Sequence, residues 1–190
     1  MNEKLRQEIA GFFLQDSGDY LARFGMLFNE NGFTHIGTRS KLLVDILFSI
    51  ECSLKALIFI ESQDDEKDTY DRIRKCSHKI DKLLRKIKSV DNDFVKFKTF
   101  AKQIGLDKYS ICSRYSLEAN ICFRENGVLG TKYYSTIADP NWIETLYNEA
   151  KKLREYVGSK KASFVVVNFS DINIDELLGN QKRISDIAKK

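Results

Sequence analysis

The sequence is poor in residues that break helices. It has one proline, Pro140, and ten glycines in 190 residues. That is too few for an all-β domain, which needs turn signals at short, regular spacing. Cysteine is sparse as well. Cys52, Cys76, Cys112 and Cys122 form no CxxC pair, so reduced thiols and no zinc site are expected. Histidine occurs twice, at His35 and His78, and no GxSxG, GxxxxGK(S/T) or GxGxxG motif is present. Serine-triad hydrolysis, P-loop chemistry and dinucleotide binding are therefore without a signature, and no cofactor is expected. No apolar run approaches the roughly 20 residues that span a bilayer. Residues 1–15 are charged and amphipathic and lack the apolar centre of a signal peptide. The expectation is a cytoplasmic protein with no membrane contact.

What is present is apolar mass and unevenly spread charge. Hydrophobic residues make up 43% and aromatic residues 12%, enough to bury the core of one domain. The formal net charge is +4, yet residues 67–108 alone carry thirteen Lys or Arg against six Asp. This local excess is larger than that of the whole chain. A second basic cluster is formed by Lys151, Lys152, Arg154, Lys160 and Lys161. Such segments attract phosphate backbones without reading sequence.

Residues 39–62 dominate the pattern. Leu43, Ile46, Leu47, Ile50, Leu54, Leu57 and Ile58 recur at steps of three and four, which predicts a long helix. Phe48 and Phe59 widen its stripe, so it is expected to be buried on more than one side. Glu51 and Lys55 stand at i, i+4 in the favourable order and read as an ion pair on the helix surface. Before this helix, residues 2–15 and 19–29 read as two helices broken at Asp16-Ser17-Gly18, with residues 33–38 a loop. After it come an acidic connector at 63–68 and a helical turn at 69–75. Ser77 then reads as the N-cap of a helix over 78–88. Further helices are expected over 94–104, capped by Asp91 or Asp93 and stopped by Gly105, and over 109–125, closed by Asn126-Gly127. Residues 128–137 read as extended chain or loop. Asp139-Pro140 signals another helix start, and Gly158 its end. Residues 162–169 are β-rich, and residues 171–190 form a short helix with a charged end. The expected fold class is all-α, an up-and-down helical bundle with a small β element near the C-terminus. Its parts are N-terminal helices (1–38), a bundle (39–158) and a strand-plus-helix appendage (159–190).

The residues with local support for chemistry are Arg72 and His78, in DRIRKCSH. A neutral imidazole can take a proton from a ribose 2′-hydroxyl, and a guanidinium can hold the phosphate in a fork. Arg74, Lys75, Lys79, Lys82 and Arg114 are the candidate nucleic-acid contacts. Six steps on a straight helix place Arg72 and His78 on different faces, so their convergence needs a bend near Ser77 or a pairing of two chains. Arg74 and His78, four apart, would share a face if the helix ran through. The same residues also read as a solvated basic helix start with a surface histidine.

The blocks SIECSLKALIFIES and SHKIDKLL, followed by ICSRYSLEANICF and NWIETLYNEAKKLREYV, resemble the HEPN superfamily over residues 39–157. The resemblance implies a bundle of four main helices plus a short one, often dimeric. It also implies a role in toxin–antitoxin, phage-defence or RNA-processing systems. Active members of that family are metal-independent endoribonucleases with an R-x4-6-H motif, and Arg72-x5-His78 has that spacing. Two departures stand beside it: Ile73 follows the arginine where a polar residue is usual, and the motif lies just after the long helix rather than in a later one. Two functions are therefore expected in parallel. One is binding, and cleavage, of RNA or a nucleotide. The other is a non-catalytic helical module for a protein partner, motivated by the strand edge at 164–169.

Overall fold

The computed structural model describes residues 3–31, 33–109, 121–162 and 173–189. The chain is mostly helical, with eight helices among the described residues. Helix α2, Ile36–Glu61, is the spine of the fold. Every residue from 42 to 59 is buried except Phe48 and Lys55, which are partly so. A helix hydrophobic nearly all round must be covered on several sides. Here α1 (Glu3–Asn31) lies antiparallel against one side. On other sides α2 meets α4 (Ile80–Lys86) and α7 (Pro140–Lys160). Each fully buried Leu, Ile or Phe side chain on α2 contributes roughly 1.5–3 kcal/mol. A single core cluster runs from Leu5 of α1 to Val157 of α7.

Helix α1 runs unbroken through Asp16-Ser17-Gly18, where two helices were expected. Ser17 is fully buried, and its Oγ lies 2.8 Å from Ser49 Oγ and 2.9 Å from Ser53 Oγ on α2. Its hydroxyl thus spends its polarity across the helix crossing, not on a local turn. Gly18 faces α7: a Cβ there would lie 2.9 Å from Arg154 Nη2. Small residues at this point admit close packing, and packing overrides the weak break signal.

Helix α2 begins three residues earlier than expected. His35, read as loop, caps it: its Nδ1 accepts from the Gly37 N–H at 3.1 Å. Helix α3, Glu66–Arg74, is also longer than the expected turn, because Asp65 accepts from the N–H groups of Lys67 (2.8 Å) and Asp68 (3.0 Å). Ser77 is no N-cap. Its φ is +50°, a left-handed conformation that turns the chain between α3 and α4, and Lys79 occupies the cap position with no side-chain hydrogen bond. Helix α5, Asn92–Gln103, is capped by Asp91, and Gly105 ends it at φ +62°. A short 3₁₀ turn, Leu106–Lys108, follows.

Asn126-Gly127 closes no helix. Both residues have positive φ, 52° and 85°, and they join β1 (Arg124–Glu125) to β2 (Val128–Leu129) in a two-residue antiparallel hairpin, the turn such a pair favours. Residues 128–137, expected as extended chain or loop, begin with the strand β2 and then hold a single helical turn, α6 (Thr131–Tyr134). Asp139-Pro140 starts α7 as expected, with Asp139 accepting from the Asn141 N–H at 2.9 Å, and the helix continues through Gly158 to Lys160. Helix α8, Ile174–Ala188, is capped by Asn173. It is tied to α1 by Lys4–Glu176 (3.0 Å) and Gln181–Glu8 (3.0 Å), and to α3 by Arg183–Glu66 (3.0 Å). The strand expected at 164–169 lies outside the described residues, as does Arg114.

Candidate functional site

Glu51 sits on the spine helix, and its side chain is 3% exposed. The sequence made it one half of a surface pair with Lys55; the pair exists at 2.5 Å, but it is not on the surface. The turn after α3 brings a second partner. Left-handed Ser77 swings His78 over α2, and His78 Nδ1 lies 3.2 and 3.1 Å from the two Glu51 carboxylate oxygens. A carboxylate against Nδ1 holds the ring N–H on that side. The imidazole itself is 58% exposed, so Nε2 is left for exchange with water or a bound molecule. The edge of the ring pair formed with Phe48, centroids 5.9 Å apart at 77°, fixes the imidazole from a second direction. A histidine oriented by a buried carboxylate is an arrangement that general-base chemistry uses.

Arg72 is held elsewhere. Its guanidinium donates to Ser62 Oγ at 3.1 Å and to the Asp64 carboxylate. Ser62 and Glu51 are eleven residues apart along α2 and its C-cap, roughly 16 Å at the helical rise. Arg72 and His78 are thus anchored at separate points of the spine. Arg74 does not share a helix with His78, because α3 ends at Arg74; its guanidinium lies 6.0 Å from the Tyr70 ring centroid. Lys75, Lys79 and Lys82 are exposed. Among the described residues, Arg74 and these three lysines are in no ion pair. They surround His78 in sequence and leave a basic surface with its charge unspent.

Next to Phe48 the site extends along the α1–α2 seam. Tyr20 stacks on Phe48 with centroids 5.0 Å apart, and Arg23 lies 5.0 Å from the Tyr20 ring. The hydrogen bond from Arg23 to the buried Asp45 pushes the guanidinium pKa above its ordinary value. Cys52, beside Glu51 in sequence, is pushed up to about 12, chiefly by burial, with Glu51 adding to the shift. It is a packing thiol, not a nucleophile. No group of three potential metal ligands occurs among the described residues, and no helix there is long and apolar enough to cross a membrane.

Sequence reasoning missed the role of Glu51 and the whole Tyr20–Arg23–Asp45 group. For Glu51 a signal existed: the glutamate stands inside IECSLKALIF, where apolar residues occupy every side of the turn. For the others nothing local pointed to function, because they meet only when α1 lies on α2. No family model, no curated protein and no solved structure matches the chain.

Proposed function

We propose that this chain is a HEPN-like RNA-binding protein of the toxin–antitoxin or defence kind, with metal-independent endoribonuclease activity centred on His78. The observation that carries this reading is an exposed imidazole locked by a buried carboxylate, flanked in sequence by Arg74, Lys75, Lys79 and Lys82, which are in no ion pair among the described residues. Desolvating Glu51 is costly, and Lys55 alone would satisfy it; directing it at an exposed histidine gives that histidine one tautomer and one orientation. In the reaction, His78 Nε2 takes the 2′-hydroxyl proton of a ribose. The 2′-oxygen attacks the adjacent phosphorus, the P–O5′ bond breaks, and the proton passes to the leaving 5′-oxygen. The products are a 2′,3′-cyclic phosphate and a 5′-hydroxyl. Within one chain Arg72 is anchored away from His78, so a homodimer belongs to this reading: a second copy can present its own Arg72.

The test is incubation of the purified chain with single-stranded RNA in EDTA. Cyclic-phosphate ends are expected from the native protein, with none from His78→Ala. Intact RNA after incubation with the native chain, or unchanged cleavage by His78→Ala, would sink the assignment.

A second reading is favoured by α8. Its Ile174 and Leu178 are 66% and 64% exposed, an apolar face that suits a non-catalytic interaction module. If that reading holds, changing both residues to Ser abolishes oligomer or partner binding in sedimentation, while the RNA assay shows no product from any variant.

A further inference from the structure

We infer that the groove between α1 and α2 binds one nucleoside phosphate unit, next to His78. This rests on the RNA reading above and supplies its missing recognition element. Residues Tyr20 and Arg23 line one wall, at i and i+3 of α1. Lys41, Asp45 and Phe48 line the other, at i, i+4 and i+7 of α2. The groove encloses about 540 Å³, within the size range of small-ligand sites.

Its lining combines charged side chains with aromatic rings and the aliphatic Leu27 and Val44. Asp45 is buried, with a side chain 2% exposed, whereas the Arg23 side chain it holds is 55% exposed. Arg23 Nε donates to both Asp45 oxygens at 3.0 Å, and Nη2 donates to Oδ1. Those bonds use one edge of the guanidinium and fix it. The Nη1 edge is left to donate outward. Exposed Lys41 lines the same groove. A pre-positioned guanidinium beside a mobile ammonium is a phosphate-binding arrangement. Beside the guanidinium, which lies 5.0 Å from the Tyr20 ring centroid, stand the rings of Tyr20 and Phe48, the apolar surface a nucleobase needs. Phe48 in turn touches His78, so a base lying over Phe48 places its neighbouring phosphodiester toward the imidazole. Asp45, the one carboxylate among the described residues lining the groove, is paired with Arg23, so Lys41 carries the net positive charge and the Arg23 Nη1 edge adds a directed donor.

The full-length chain is titrated calorimetrically with adenosine 5′-monophosphate, with adenosine and with inorganic phosphate, and by fluorescence anisotropy with a single-stranded RNA oligomer. Adenosine monophosphate should bind about tenfold or more tightly than either of its parts and displace the RNA. Lys41→Gln and Arg23→Lys should each weaken it about fivefold or more. Arg23→Lys keeps a cation against Asp45, and Lys41→Gln alters an exposed side chain, so both variants fold. Equal affinity for phosphate and for adenosine monophosphate, or binding unaffected by both substitutions, overturns this inference and leaves RNA binding by the α3–α4 surface standing. Nucleotide binding that depends on Arg23 and Lys41, with no RNA bound, upholds the groove and overturns the RNA reading.

Discussion

The Nδ1 of His78 faces both carboxylate oxygens of Glu51 at 3.1–3.2 Å, after the turn that the left-handed Ser77 makes between α3 and α4. The two partners are unequal in burial, and this fixes the direction of the first prediction. Glu51→Ala removes the countercharge from Lys55, whose side chain is 19% exposed, and should lower stability by about 3 kcal/mol. His78→Ala should change it by less than about 0.5 kcal/mol, because the imidazole is mostly in water. Urea unfolding measures both. Equal losses would show that Glu51 is not the hub described.

The α1–α2 crossing at Ser17 admits no bulk. Ser17→Leu should cost about 3 kcal/mol by overpacking against Ser49 and Ser53, and Ser17→Ala about 1 kcal/mol for the lost hydrogen bonds. Gly18→Ala should be milder than Ser17→Leu, because the clash is with the far end of the Arg154 side chain. Thermal unfolding of the three variants ranks them, and a tolerated Ser17→Leu would contradict the close crossing.

Gly105 ends α5 at φ +62°. A β-carbon in that conformation costs roughly 1 kcal/mol or more, so Gly105→Ala should lower the urea midpoint. Gly158, inside α7 with open space around it, should instead be stabilised by Ala by about 0.5–1 kcal/mol.

Burial holds the Cys52 thiol protonated. Its folded pKa, about 12, lies above the ordinary 9.0. A raised pKa contributes stability that is fully present below pH 9 and is lost as pH rises through the folded value. Native protein should therefore lose stability between about pH 9 and pH 12, and Cys52→Ala should flatten that limb. At pH 8, iodoacetamide should modify the exposed Cys122 and spare the buried Cys52. Peptide mass mapping reads the result.

If the α3–α4 surface carries RNA, binding should weaken as salt rises. Lys79→Gln and Lys82→Gln should each reduce the slope of log affinity against log salt by about 0.7, the single-strand increment per phosphate contact. A slope unchanged in the double variant would remove this surface from the interface.

Much of the fold was legible in the chain. The three-and-four spacing of Leu43, Ile46, Leu47, Ile50 and Leu54 marks the spine helix, because apolar periodicity reports which faces must leave water. Gly105 and Asp139-Pro140 mark ends correctly, and of the two candidate caps Asp91 and Asp93 the structure uses Asp91, because a cap or an imposed φ acts within a few residues. Other local signals misled. Ser17-Gly18 reads as a break and is a packing contact; Asn126-Gly127 reads as a helix stop and is a hairpin turn. Each motif serves two conformations, and partners distant in sequence choose between them.

The sequence by itself determined a helical chain around one long apolar helix, with a basic stretch from 67 to 108 beyond it. Local periodicity and composition carry that much. Tertiary structure alone decided that Glu51 is turned on His78, that Arg72 is drawn away to Ser62 and Asp64, and that Arg23 and Lys41 share a groove with Phe48. The pairs Arg72–Asp64, Arg72–Ser62, Arg23–Lys41 and Glu51–His78 are 8 to 27 positions apart, and the way the elements pack, not any spacing along one of them, sets which side chains meet.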